Sequence, residues 1–458
     1  MLKHIWIAIN ILFFTIIIFP QENYVFEHFS IPEGLSNPTV FSVIQDSYGF
    51  IWIGTADGLN RYDGYEFKVY KNDPADSMSL PGGGEIWAIS EDADGNLWIG
   101  GQSFLVLYDR VNDNFKKVTM DFSYYVNPSP LIYSILSDSK NRVWVATRHH
   151  GVQLINPRKM TSEYQKLIID GEESRMNMIF SIAEIHTGDI LVPDMANGIL
   201  KYNENDNAFE KYDISGVTEA NRILVLFEDE MNNLWLANWR GALQKYNPAD
   251  KSLETIDIYK SVKEEIADPS IVEIFKDQDG FLWFSTFANG LFRYNPVTTE
   301  FVRFKSDLLN PNSIHGNEIS SVIQDQFGIL WIGSFTTGLN KVDPKKQPFN
   351  VYHLPKEIRK NTLDDNITAI FKDTYDEDVW VGTSGSGLVR MNLKNDDFKI
   401  YSYNANSSNS LSSNQINTIA RDGNKNIWIG TDSSLNKLNT TTGTIEEYFK
   451  GENTEGQQ

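Results

Sequence analysis

Eight side chains carry the chemistry that this sequence can offer a small ligand: Trp87, Arg148, His149, Trp239, Arg240, Phe287, Asn289 and Phe335. Aromatic faces suit the apolar C–H faces of a sugar ring, and planar polar groups suit its hydroxyl edges. An aromatic contact is worth about 0.5–1.5 kcal/mol beyond area burial, so a sugar site needs several rings together. Arg148, Arg240 and Asn289 supply hydrogen bonds, and the two arginines can also grip the carboxylate of an acidic sugar. His149 and His150 invite a metal reading. Adjacent strand residues point to opposite faces, however, and no third ligand stands at a telling spacing, so no metal is expected. Asp92-Ala93-Asp94-Gly95 and Asp277-Gln278-Asp279-Gly280 begin like calcium loops but lack the later acidic ligands, and read as turns. No carboxylate pair recurs, no base is singled out by spacing, and no Gly-rich nucleotide loop is present. Neither a catalytic residue nor a cofactor is expected.

The elements that must position these residues follow from internal repetition. A strand of the form Trp-apolar-small recurs: Ile51–Thr55, Leu97–Gly101, Val143–Thr147, Leu234–Asn238, Leu282–Thr286, Leu330–Ser334, Val379–Thr383 and Ile427–Thr431. Ile190–Asp194 is a degenerate copy with Leu191 in place of Trp, and the centres of the nine copies lie 44 to 49 residues apart. Six residues before most centres stands an Asp: Asp46, Asp92, Asp138, Asp229, Asp277, Asp325 and Asp422. Asp373 stands seven before Trp380, and Ile185 takes the place in the degenerate copy. The turn between carries Gly or another turn former, and Asp there can accept from backbone N–H groups two residues on. Each unit reads as four short strands, such as Val40–Gln45, Phe50–Gly54, Leu59–Tyr62 and Glu66–Tyr70. That period and strand count describe a propeller blade. Most of the 11 Trp are then core residues, and truncating one to Ala should cost about 3–5 kcal/mol.

Trp87 and Trp239 are the exceptions beyond the N-terminal segment. In a four-strand blade, the start of the inner strand and the loop after the second strand share one face. Phe41, Trp87, Tyr133 and Phe180 stand five residues before the Asp position, or its equivalent. Arg148, His149, His150, Trp239, Arg240, Phe287, Asn289 and Phe335 stand in the loops. The inner-strand rings either line a recognition surface or plug the central channel.

The fold class is therefore all-β: a seven-bladed propeller over 22–345, then two blades of an incomplete second propeller over 346–450, with a polar tail at 451–458. Tyr24–Ser30 is the outer strand that closes the ring, since an open sheet edge invites aggregation. Pro348–Tyr352, after the linker Asp343–Gln347, resembles a second opening strand. A single eight- or nine-bladed ring is the alternative. Residues 1–21 read as a signal peptide: Lys3 and His4 precede an apolar run from Ile5 to Phe19. A periplasmic or secreted location follows, with membrane contact only if that segment stays uncleaved. There is no Cys, which excludes disulfides and thiol chemistry. A net charge of −21 argues against nucleic acid as a partner.

The runs Asp46–Asp63 (DSYGFIWIGTADGLNRYD) and Asp325–Asp343 (DQFGILWIGSFTTGLNKVD) resemble the two-component regulator propeller repeat. The resemblance implies the periplasmic sensor region of a hybrid two-component histidine kinase. There, paired seven-bladed propellers precede an immunoglobulin-like domain, a membrane span and the kinase. It also implies recognition of carbohydrate fragments. This sequence departs from that pattern after two blades of the second propeller, so a truncated form without kinase is expected, possible homodimerisation included. A polysaccharide or ring-opening lyase and a protein-interaction scaffold remain the alternatives, because fold alone does not assign function.

Overall fold

The computed structural model describes residues 24–345 and 366–448, apart from 122–129, 177, 218–221, 261, 263–265, 374–377, 393–396 and 423–425. Within them the chain is strand and turn, with one three-residue 3-10 segment at Ile31–Glu33. The signal segment, Pro348–Tyr352 and the polar tail lie outside the described residues.

The first repeat shows how the sequence makes a sheet. Strands Val40–Gln45, Ile51–Thr55, Gly58–Tyr62 and Phe67–Tyr70 pair antiparallel in chain order. Asp46 ends the inner strand. Its Oδ1 accepts from the backbone N–H of Tyr48 (3.1 Å) and Phe50 (2.9 Å), and its Oδ2 accepts from the Trp52 indole N–H (2.8 Å). One carboxylate thus holds the turn and satisfies the single polar atom of a fully buried tryptophan. The same bond joins Trp98 to Asp92, Trp144 to Asp138, Trp235 to Asp229, Trp283 to Asp277, Trp331 to Asp325 and Trp428 to Asp422, at 2.7–3.1 Å. Two repeats break the pattern informatively. In the fourth, Ile185 and Leu191 replace both partners at once, and both are buried. In the eighth, Asp373 is displaced by one residue and pairs with Arg421, and the buried Trp380 indole N–H has no partner among the described residues.

Neighbouring repeats meet closely because the small residue two past the Trp faces the next inner strand. A Cβ added at Gly54 would lie 2.5 Å from Ile86 O, and one at Gly100 would lie 2.6 Å from Ile132 Cγ2. One at Gly333, in the seventh repeat, would lie 2.7 Å from Val40 Cγ1 in the first. A belt of hydrogen bonds on the opposite face repeats the closure. The N–H after the Asp position donates to the side chain before the next one: Ser47 to Glu91, Ser139 to Glu184, His186 to Glu228, Gln278 to Gln324, and Gln326 back to Gln45. Finally, Glu27–Phe29 pairs with Gly338–Val342, so the first strand of the chain completes the sheet of the seventh repeat. His28 stacks on His315 at this seam, with ring centroids 3.4 Å apart.

The chain divides into two compact units, Met1–Pro348 and Phe349–Gln458. In the first, five repeats form separate four-stranded sheets, while the third and fourth share one nine-stranded sheet. Four short strands per unit is thus too simple for these two. The third outer strand, Thr161–Ile169, overruns its sheet and pairs in parallel with Ala208–Lys211. The fourth inner strand keeps only Ala183–Glu184, so pairing lost at the hub is replaced at the rim. The second unit holds two four-stranded sheets, Ile367–Tyr401 and Ile416–Tyr448. They meet through the same contact, Gly382 against Ile416.

Two expectations follow. Asp277→Ile leaves the Trp283 indole and two turn N–H groups without their acceptor, and Trp283→Leu leaves the carboxylate without its buried donor. Each should destabilise by about 3 kcal/mol. The double variant, which imitates the fourth repeat, should cost at least about 1 kcal/mol less than their sum, as read by urea unfolding. The second concerns Glu273 on the inner strand Ile271–Lys276. It accepts from the Val322 N–H of the next inner strand at 2.5 Å, and desolvation pushes its carboxyl up to about 8. The folded state then holds a proton that the unfolded chain has released above about 4.5. Stability from this group is therefore present at low pH and lost as pH rises toward 8. Glu273→Gln should flatten that part of the melting-temperature profile.

Candidate functional site

The ladder between inner and second strands skips one residue at the same place in six of the first seven repeats. The skipped residues are Phe41, Trp87, Tyr133, Leu224, Val272 and Ser320. Such a bulge leaves its residue out of the ladder and re-aims the side chain. In the fourth repeat Phe180 stands just ahead of the short inner strand. The first four repeats thus present a ring from the inner strand or from just ahead of it. The other three have no aromatic there, and their loops after the second strand provide one instead: Trp239, Phe287 and Phe335.

These seven rings touch in one arc. Phe287 meets Phe335 (5.4 Å between centroids), Phe335 meets Phe41 (6.2 Å), and Phe41 stacks on Trp87 (3.8 Å). Trp87 meets Tyr133 edge-on (5.5 Å), Tyr133 stacks on Phe180 (4.5 Å), and Phe180 meets Trp239 (6.3 Å). The two ends, Trp239 and Phe287, are the most open, each 45% exposed. Ser270 joins the backbones at these ends: its hydroxyl donates to Trp239 O (2.8 Å), and its carbonyl accepts from Phe287 N–H (3.0 Å).

The loops are held by a residue at or next to the end of the preceding strand. Thr147 Oγ1 donates to Gly151 O (2.8 Å), Thr286 Oγ1 donates to Gly290 O (2.6 Å), and Asn238 Oδ1 accepts from the N–H groups of Arg240 and Ala242. Of the eight residues singled out in the sequence, Trp87, Trp239, Phe287 and Phe335 join the arc. Arg148 is exposed and reaches the Tyr133 hydroxyl. Burial raises the pKa of that phenol and Arg148 opposes the rise. His149, held at φ 68°, accepts from Arg148 Nε at 3.2 Å. Arg240 is exposed beside Trp239. Asn289 is placed differently. It is 2% exposed, and its amide donates to Asp268 O, ahead of the inner strand of the same repeat, which makes it a brace rather than an open donor.

Three polar residues of this rim carry no signal that sequence spacing would single out. Glu85 accepts from the Trp87 indole (3.1 Å), Glu318 accepts from Thr336 Oγ1 (3.0 Å) beside Phe335, and Arg222 O accepts from Trp239 N–H (3.3 Å). On the opposite face, a hollow of about 400 Å³ lies between the fifth and sixth repeats, lined by Met231, Phe281 and Val297 among others. It collects turn and hairpin-tip side chains rather than a convergent polar set.

Four stretches, residues 34–57, 79–103, 313–336 and 410–433, match the family described as two component regulator propeller. A stretch of 60 residues is 47% identical to Histidine kinase P4 of Formosa agariphila, which is 13% of this chain and 4% of that protein. Among solved structures, the extracellular domain of the hybrid two component system BT3049 from B. thetaiotaomicron matches with a TM-score of 0.65 at 20% identity, over 95% of this chain and 61% of that one. The corresponding domain of BT4673 from the same organism matches with a TM-score of 0.54 at 22% identity, over 94% of this chain and 54% of that one. The chain thus spans less than two thirds of these relatives, and at such identities the structural likeness concerns the fold. Four repeats of the chain thus match the two component regulator propeller family in sequence, and its fold matches these extracellular domains in space.

Proposed function

We propose that this chain is the extracellular input region of a two-component signalling protein, and that it binds an oligosaccharide on the seven-ring arc. The observation that carries the reading is the complementarity of the arc. Four rings come from the inner strands or, for Phe180, from just ahead of one, and the three repeats without a ring there supply one from a loop. Core packing alone gives no reason for that substitution, whereas a ligand surface needs a ring at each place whatever its source. Relatives described as a histidine kinase and as extracellular domains of two-component systems support the signalling part. The charged-then-apolar N-terminus supports a periplasmic or secreted location. The contact of Gly333 with Val40 supports a closed seven-bladed ring, with the later repeats beginning a second. A rim of ring faces and single donors, with no acid–base pair set across it among the described residues, supports the reading of binding rather than catalysis.

The test is calorimetry against a panel of neutral and acidic oligosaccharides. Trp239→Ala combined with Arg240→Ala should weaken binding of the responding member about tenfold or more, from one lost aromatic contact and one charge-assisted bond. The melting temperature should stay within about 2 °C, because both side chains are exposed and surface changes of this kind shift stability little. Unchanged affinity in a folded variant removes this face as the binding site.

A further inference from the structure

The rim of the arc is electrically divided. Beside Trp87 and Phe335 stand carboxylates: Glu85 on the Trp87 indole, and Glu318 whose backbone carbonyl accepts from Phe335 N–H. Beside Tyr133 and Trp239 stand arginines: Arg148, Arg222 and Arg240, all exposed. Their setting is unusual for this chain. With 61 acidic and 40 basic residues, acidic partners are abundant. Arg110 and Arg142 bond Asp46 and Asp138, and in the second unit Arg390 and Arg421 bond Asp378 and Asp373. Arg148, Arg222 and Arg240 have no carboxylate partner among the described residues. Arg148 instead reaches the Tyr133 hydroxyl and the His149 ring. Arg240 and Arg222 flank Trp239, one next to it in sequence and one through its backbone carbonyl.

Resting on the saccharide reading above, we propose that the ligand is acidic, and that its carboxylate or sulfate group lies on the sector formed by Arg148, Arg222 and Arg240. A planar guanidinium presents a fork of donors that matches either oxyanion, and three forks without a carboxylate partner among the described residues, beside stacked rings, form a complement to a charged sugar. The carboxylates at the other end repel the same group. A ligand that crosses the arc is therefore oriented, with its charged end over the third to fifth repeats and a hydroxyl-rich end over the first, second and seventh. Uronic acids and sulfated sugars share this chemistry.

Calorimetry on the full chain separates the cases. The probes are tri-galacturonate, its fully methyl-esterified form, a sulfated galactan tetrasaccharide and its desulfated form. At least one charged probe should bind at least tenfold more tightly than its uncharged counterpart, and its affinity should fall as salt rises from 50 to about 500 mM. Arg148→Ala with Arg240→Ala should remove that preference and leave the weaker binding of the uncharged form in place. Which charged probe responds distinguishes carboxylate from sulfate. If uncharged probes bind as well as charged ones, or if no charged probe binds, the inference fails. Loss of binding in Trp87→Ala together with Trp239→Ala, with no effect of the arginine pair, would overturn the charge assignment while keeping the aromatic arc. Insensitivity to both pairs would overturn the arc as well.

Discussion

A single hydrogen bond, from a tryptophan indole to the aspartate six residues before it, sets the geometry on which the rest depends. A buried indole N–H without an acceptor costs free energy, and a buried carboxylate without donors costs more. Together, with two turn N–H groups added, they satisfy one another. The pairing fixes the turn between inner and second strand, so it fixes the register of both. It also fixes where the second strand ends, and that is where the loop on the face of the aromatic arc begins. Thr147, Asn238 and Thr286 then close those loops from the strand's end. Clamp, strand and loop form a rigid chain of constraints that runs from one face of the disc to the other.

The division of labour between the two faces follows from this. One face is taken up by the turns and their belt of bonds to the neighbouring repeat, which is structural. The other is left free for side chains to vary, because the bulge takes one residue per repeat out of the ladder. That position can hold Phe, Trp or Tyr without disturbing the sheet, or Leu, Val or Ser when the loop supplies the ring. The fourth repeat shows how far the design bends. It lacks the clamp, keeps two residues of inner strand, and shares its rim with the third repeat, yet it still places Phe180 between Tyr133 and Trp239.

Much of this was legible in the sequence. The period, the four strands, the closing role of the Tyr24–Ser30 region and the common face of Trp87 and Trp239 all follow from repetition and strand alternation. The role of the aspartate was legible only in part. Its turn bonds follow from spacing, but its bond to the tryptophan needs the strand geometry, and the joint loss at Ile185 and Leu191 was the available hint. The bulge was hidden, because both faces of an inner strand carry apolar residues, so the break in alternation at Phe41, Trp87 or Tyr133 does not stand out. Asn289 shows the opposite error. Its type and loop position suit a sugar donor, but backbone carbonyls within reach claimed its amide. Arg222 and Glu318 went unnoticed because nothing in their spacing distinguishes a rim residue from any charged loop residue.

The measurement that tests the central bond most directly is indole hydrogen exchange, read by NMR on protein with nitrogen-15 in its tryptophans. Seven indole N–H groups, those of Trp52, Trp98, Trp144, Trp235, Trp283, Trp331 and Trp428, are held by aspartate in the structure. Those of the closed first unit should exchange slowly, with single Asp→Ala changes each releasing one assigned signal, while the half-exposed Trp239 exchanges rapidly. Rapid exchange across the whole set in folded protein, or aspartate changes that leave the paired indole protected, would contradict the account.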